Sequence, residues 1–258
     1  MSNSRWQFTK QSTTDGVRTI TINRPEQRNA LTPDLYRELK EGLLEGWADP
    51  GARMLVLRGC QGVFASGGDL KHFRSLLDGP TEERLWQIAR SYEEPLPFRT
   101  ILECPKPVIS VVDGLCLAGG LVIAACSDHV IATSRSSFGV PEARVGLADP
   151  FCAVLLPRVV GDVRARHLML TARRIDGETA EQWGLVTDLV PPEELDEAVE
   201  RVVRELKQVS PDSTAAYKRA TNASIPHMST VIISDAACSE NGREGLAAFA
   251  EKRTPNWT

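Results

Sequence analysis

The 258-residue chain has no GxGxxG after its first strand-like run and no GxxxxGKS/T anywhere, which removes the common cradles for dinucleotides and nucleoside triphosphates. Its six cysteines, Cys60, Cys104, Cys116, Cys126, Cys152 and Cys238, lie far apart with no CxxC, a pattern that fits buried thiols in a reducing compartment. The four histidines, His72, His129, His167 and His227, keep no ligand spacing, so no metal site is expected. Long basic runs are absent too. With 30 basic against 34 acidic side chains the net charge is -4, which offers little to nucleic acid or to a membrane surface. The opening residues Met1 to Trp6 are polar and lack the apolar stretch of a secretory leader. The longest apolar region, Val108 to Cys126, is interrupted by Ser110, Asp113 and several glycines. Neither export nor a membrane span is expected, and the cytoplasm is the expected location.

What is present alternates. Short apolar or alternating runs at Val17 to Asn23, Arg53 to Arg58, Pro107 to Val112 and His129 to Thr133 read as strands. The clearest helix runs from Thr32 to Ala48: Thr32 can cap it, Pro33 suits its first position, and Leu35, Leu39, Leu43 and Leu44 line one face. The alternation predicts an α/β fold. Leu85 to Cys104 reads as two helical pieces bent at Pro95 and Pro97, a candidate substrate lid or acyl-pocket wall. From Glu193 the pattern is purely helical, over Glu193 to Gln208, Pro211 to Ala223, Ser229 to Ser239 and Arg243 to Arg253. We therefore divide the chain into a core, 1–192, and a helical region, 193–258, whose apolar positions can pack either on a partner subunit or on their own core.

Two glycine-rich turns dominate the rest. Phe64-Ala65-Ser66-Gly67-Gly68-Asp69-Leu70 and Asp113-Gly114-Leu115-Cys116-Leu117-Ala118-Gly119-Gly120 each lead from a strand-like run into a helix-like one. Free N–H groups at a helix start attract negative charge, so two converging turns make an oxyanion hole, the device needed when a carbonyl becomes an enolate.

Set beside Asn23-Arg24-Pro25-Glu26-Gln27-Arg28-Asn29-Ala30-Leu31, these turns resemble the crotonase superfamily, the enoyl-CoA hydratase/isomerase family. Further marks are Lys106-Pro107-Val108-Ile109, Ser137-Phe138-Gly139-Val140-Pro141-Glu142, Leu170-Thr171-Ala172-Arg173-Arg174-Ile175, Gly184-Leu185-Val186, and Glu244-Gly245 through Phe249 to Lys252-Arg253. The resemblance implies a spiral of ββα repeats with a C-terminal helical trimerisation region, assembled as a homotrimer or a dimer of trimers. It also implies an acyl-CoA or acyl-carrier-protein thioester as substrate, with coenzyme A as part of that substrate and no other cofactor. It puts the oxyanion-hole N–H groups on Gly68 and Gly119 and the acid/base on Glu142. It places Ala30 and Ser66 near the CoA adenine and Arg24 toward its phosphates. Phe249 and Lys252 are implied to touch CoA from a neighbouring subunit.

Hydratases of that family use two glutamates, and the place of the first is Val122 here, which cannot carry a proton. Isomerases of the family manage with Glu142 alone, so double-bond isomerisation is the expected reaction. Hydration, dehydration or decarboxylation of an unusual thioester is the alternative, and a noncatalytic scaffold is the alternative outside enzymes. Asp149 resembles the second carboxylate of the dienoyl-CoA isomerase branch arriving one residue early, and it equally suits the cap of a helix beginning at Pro150. Asp69 is expected to cap rather than react. Ala118 stands where the family usually has glycine, and the family's later GG near Pro150 to Val154 is absent.

Overall fold

A computed structural model of the protein describes residues 5–76, 94–226 and 238–257. In chain order its strands are β1 Thr9–Thr14, β2 Val17–Ile22, β3 Met54–Arg58, β4 Val63–Ala65, β5 Val108–Val112, β6 Leu115–Leu117, β7 His129–Thr133, β8 Ser137–Gly139, β9 Arg174–Asp176 and β10 Asp188–Val190. They form two sheets, β1-β2-β3-β5-β7-β10 and β4-β6-β8-β9, parallel except for β1 on β2 and β9 on β8. The helices are α1 Pro33–Ala48, α2 Leu70–Ser75, α3 Phe98–Glu103, α4 Gly119–Cys126, α5 Pro150–Val160, α6 Asp162–Thr171, α7 Gly177–Gln182, α8 Leu195–Lys207, α9 Pro211–Asn222 and α10 Glu240–Glu251.

The pairs β3/β4, β5/β6 and β7/β8 repeat one plan. In each, the first strand joins the large sheet and the second joins the small one, and a helical segment follows. This is the ββα spiral that the sequence implied. The inner strands β3, β5 and β7 are buried on both faces, which is why they read as apolar runs. Alternate residues serve different cores: Leu55, Leu57, Val108 and Val112 face the interior shared with α1, while Met54, Val56, Ile109, Val111 and Ile131 face Leu195, Ala198 and Val202 of α8.

The helices beyond Glu193 pack on the core of their own chain. Besides α8 on the sheet, α9 sends the buried Lys218 inward to Asp128 and to the Lys106 carbonyl. The α10 helix lies against the segment after β8. It begins three residues earlier than the periodicity predicts, because the Ser239 hydroxyl accepts from Gly242 N–H at 2.9 Å. Thr32 caps α1 as expected, accepting from Leu35 N–H at 3.2 Å. Of the bent segment expected over Leu85 to Cys104, residues 94 onward are described and hold α3. Residues 85–93, His227 and most of the helix expected over Ser229 to Ser239 lie outside the described residues. Among the described residues no helix is long and apolar enough to cross a membrane.

One polar residue fixes the first glycine turn to the rest. Asn29 is fully buried, its Nδ2 donates to the Val63 carbonyl at 2.7 Å, and its Oδ1 accepts from Arg24 N–H at 2.9 Å. This clamps the 24–31 loop onto β4. Removing the amide strands a β4 carbonyl and the Arg24 N–H, so Asn29→Ala is expected to cost about 2–3 kcal/mol in urea unfolding, with the slope of the transition unchanged.

Candidate functional site

The two glycine turns meet because β4 and β6 are paired in parallel, Val63 opposite Leu115 and Ala65 opposite Cys116. Beyond the strands the backbones close to a distance only glycine permits. A Cβ on Gly67 would sit 2.8 Å from the Ala118 Cβ, and one on Gly120 would sit 2.8 Å from the Ala65 Cβ. Ala118 turns the chain into α4 with φ 53° and ψ -126°, a conformation that costs a residue with a side chain about 1–3 kcal/mol. Its N–H donates to Gly139 O at 3.0 Å and its carbonyl accepts from Val122 N–H at 3.0 Å, so both of its backbone groups are held in place. The alanine that replaces the family's glycine is therefore accommodated under strain.

Both turns leave one donor unused. Leu31 N–H donates to Gly67 O and Asp69 N–H donates to Leu31 O, which bypasses Gly68 and leaves its N–H on the opposite side. Gly119 is the first residue of α4, where no intrahelical acceptor exists. Neither N–H has an acceptor among the described residues. Gly68 and Gly119 line one cavity of about 750 Å³.

Opposite them stand two carboxylates. After β8, Pro141 leads into a 3-10 turn, Glu142–Val145, ended by Gly146 in the left-handed conformation at φ 69°. Glu142 is half-buried as a residue, but its Oε2 is closed off from the exterior and has no hydrogen-bond partner among the described residues. Burial, and then the negative charge of Asp149, push its carboxyl up to about 8. Asp149 also lines the cavity and also caps α5, its Oδ1 accepting from Phe151 N–H at 2.8 Å and Cys152 N–H at 3.0 Å. The two roles left open for Asp149 are thus compatible in one geometry. Burial raises its carboxyl as well, while the two helix N–H groups and the Cys152 thiol favour its charged form. The two carboxyls titrate as a pair, both held above their ordinary values.

Val122 is 1% exposed and belongs to the apolar core, so α4 contributes no acid to this wall. Ala30, Ser66 and Phe249 line the cavity. Arg24 does not: its Nη1 donates to Asp69 Oδ2 at 2.8 Å and Ala30 O at 2.9 Å, bracing the loop from behind. Asp69 caps α2, accepting from Lys71 and His72 N–H groups. Lys252 is exposed, off the wall, and ends α10 at φ 55°.

Phe249 and Arg253 stand on the wall of their own chain's cavity. The cause is close packing. A Cβ on Gly245 would lie 2.4 Å from Val145 O, and one on Gly146 would lie 2.3 Å from Asn241 O, so α10 rests backbone to backbone on the turn that carries Glu142.

Three aromatic rings on this wall were not singled out from the sequence: Tyr36 and Phe98 at 5.9 Å, and Phe98 and Phe151 at 4.8 Å, all edge-to-face. Tyr36 falls beside Leu35 on the buried face of α1, and that periodicity was the available signal. Arg144 and Arg174, also on the wall, had none beyond being charged residues inside family motifs.

Comparison with known proteins identifies the family and the fold. The family model described as enoyl-CoA hydratase/isomerase matches residues 12–258. A 1,2-epoxyphenylacetyl-CoA isomerase of Escherichia coli is 32% identical over 252 residues, covering 94% of this chain and 95% of its own. A mevalonyl-coenzyme A hydratase of Beauveria bassiana is 34% identical over 260 residues, with 93% and 91% covered. The crystal structure of a carnitinyl-CoA hydratase from Mycobacterium avium superposes with a TM-score of 0.83 at 28% identity, covering 98% of this chain and 99% of that one. A model match over nearly the whole chain, on a fold of the same shape, shows that the chain belongs to the enoyl-CoA hydratase/isomerase family of the crotonase superfamily.

Proposed function

We propose that this acyl-CoA enzyme isomerises the double bond of an enoyl thioester through an enolate. The observation that carries the reading is the buried Glu142 with Asp149 beside it, on a wall where Val122 supplies no second glutamate. The thioester oxygen accepts from Gly68 and Gly119 N–H groups, each contributing about 3 kcal/mol to holding the developing charge. Ionised Glu142 takes a proton from C2 of a 3-enoyl group, and the C–H electron pair moves into the thioester carbonyl to give the dienolate. Returning the same proton to C4 draws the electrons back and leaves the 2-enoyl product. Atoms and electrons balance with no oxidant, metal or water. Asp149, fixed by the start of α5, raises the proton affinity of Glu142 and so makes it a stronger base once ionised.

Asp149 also supports a second reading, because a second carboxylate on the wall can orient water for hydration of a special thioester. A panel of 2-enoyl, 3-enoyl and dienoyl-CoA substrates decides between them. Isomerisation predicts formation of the conjugated 2-enoyl product from 3-enoyl-CoA with little hydration of crotonyl-CoA, and rapid crotonyl-CoA hydration overturns it.

Glu142 links activity, stability and pH. Below its folded value of about 8, kcat/KM is expected to climb about tenfold per pH unit and then level. The raised carboxyl value stabilises the fold at pH below the ordinary 4.5, and that stabilisation is lost as pH rises toward about 8. Glu142→Gln is therefore expected to lose about a thousandfold in turnover and yet to melt higher than the parent at pH 9, the gap closing at pH 5. A variant that melts lower at both pH values would contradict the buried, proton-holding glutamate.

The donors are tested separately. A Cβ on Gly68 meets nothing within 4 Å, so Gly68→Ala should be tolerated and retain its N–H. Gly68→Pro removes that N–H and is expected to lower kcat about a hundredfold at similar CoA affinity. Equal losses in the two variants would argue against the donor.

A further inference from the structure

The chemistry above leaves two guanidinium groups on the cavity wall unused. The small sheet hands over the site strand by strand: β4 leads to Gly68, β6 to Gly119 and β8 to Glu142. Next in that order is β9, which opens at Arg174, and Arg174 is paired with Gly139, three residues before Glu142. Arg174 therefore starts one strand spacing, about 4.8 Å, beyond the strand that delivers the base, on the side away from Ala30 and Ser66. Its stem runs close over Gly139, where a Cβ would come within 3.1 Å of the Arg174 Cγ. Arg144 follows Glu142 by two residues on the same turn.

Both arginines line the main cavity and a shallow concavity of about 700 Å³ that continues it with His167 and Arg173. Among the described residues neither Arg144 nor Arg174 makes an ion pair or a side-chain hydrogen bond, whereas Arg24 and Arg253 are paired with Asp69 and Glu244. They do not serve Glu142 and Asp149 either, since neither guanidinium is among the groups that shift those carboxyls. In the strand order Arg174 comes after Gly68, Gly119 and Glu142, so an acyl chain that follows that order would bring its far end toward the two arginines.

We propose that the acyl group ends in a carboxylate and that Arg144 and Arg174 hold it, so that the substrate is the CoA thioester of an unsaturated dicarboxylic acid. This deepens the enoyl-thioester reading and rests on it. A carboxylate matches the planar fork of arginine, and such charge-assisted bonds are worth about a tenfold preference or more.

The test compares kcat/KM for two six-carbon enoyl-CoA substrates, one ending in a methyl group and one in a carboxylate. The parent is expected to favour the carboxylate at least tenfold. Arg174→Gln and Arg144→Gln should each cut that ratio severalfold to tenfold, and Arg174→Lys should keep part of it. A ratio near one in the parent, or a ratio unmoved in both glutamine variants, overturns the proposal. So does a variant that weakens binding of CoA but not of dephospho-CoA, because the arginines then hold the nucleotide phosphate. If neither thioester turns over and CoA itself does not bind, the acyl-CoA reading fails and takes this with it. Turnover without preference defeats the carboxylate alone.

Discussion

The site depends on one contact, the approach of two main chains where Gly67 meets Ala118 and Ala65 meets Gly120. Parallel pairing of β4 with β6 brings the strands side by side, but only the missing side chains let the turns beyond them touch. That contact turns two separate helix starts into neighbours, each with a spare N–H on the same cavity. The strain carried by Ala118 is local to this junction, and its hydrogen bonds to Gly139 and Val122 tie the junction to β8 and to α4. The third strand of the row then supplies Glu142, so the order of strands in the small sheet is also the order of parts in the site.

The two carboxylates illustrate how environment separates like groups. Both are half-buried on one cavity, yet Asp149 sits at the start of a helix with two main-chain donors and Glu142 has a buried oxygen with no partner among the described residues. Burial raises both carboxyls, and the neighbouring charge of Asp149 raises that of Glu142 further. A glutamate carboxyl left in solvent would have none of this, which is why the fold must close off the Glu142 Oε2 as well as position the turn.

What was legible in the sequence follows from length and polarity. The runs at Arg53, Pro107 and His129 became β3, β5 and β7 because parallel strands buried on both faces need apolar residues, and the alternating run at Val17 became the half-buried β2. The polar Thr9–Thr14 strand escaped notice because it is an edge strand with exposed positions. β4, β6, β8 and β9 span three residues each, too few for any period to show, although they set the site. The glycine pairs and Glu142 were readable from motif and family. The own-chain position of Phe249 was not, since it depends on long-range contact between Gly245 and Val145.

That contact has a bearing on how the protein matures. Main chain laid on main chain leaves no flexible side chain between α10 and the Glu142 turn, so a displacement of the helix passes to the base undamped. During synthesis the spiral and both glycine turns emerge long before residues 240–251. The nascent chain can thus bring its two glycine turns together early, while the seat of the Glu142 turn is complete only once residues 240–251 have been made and docked.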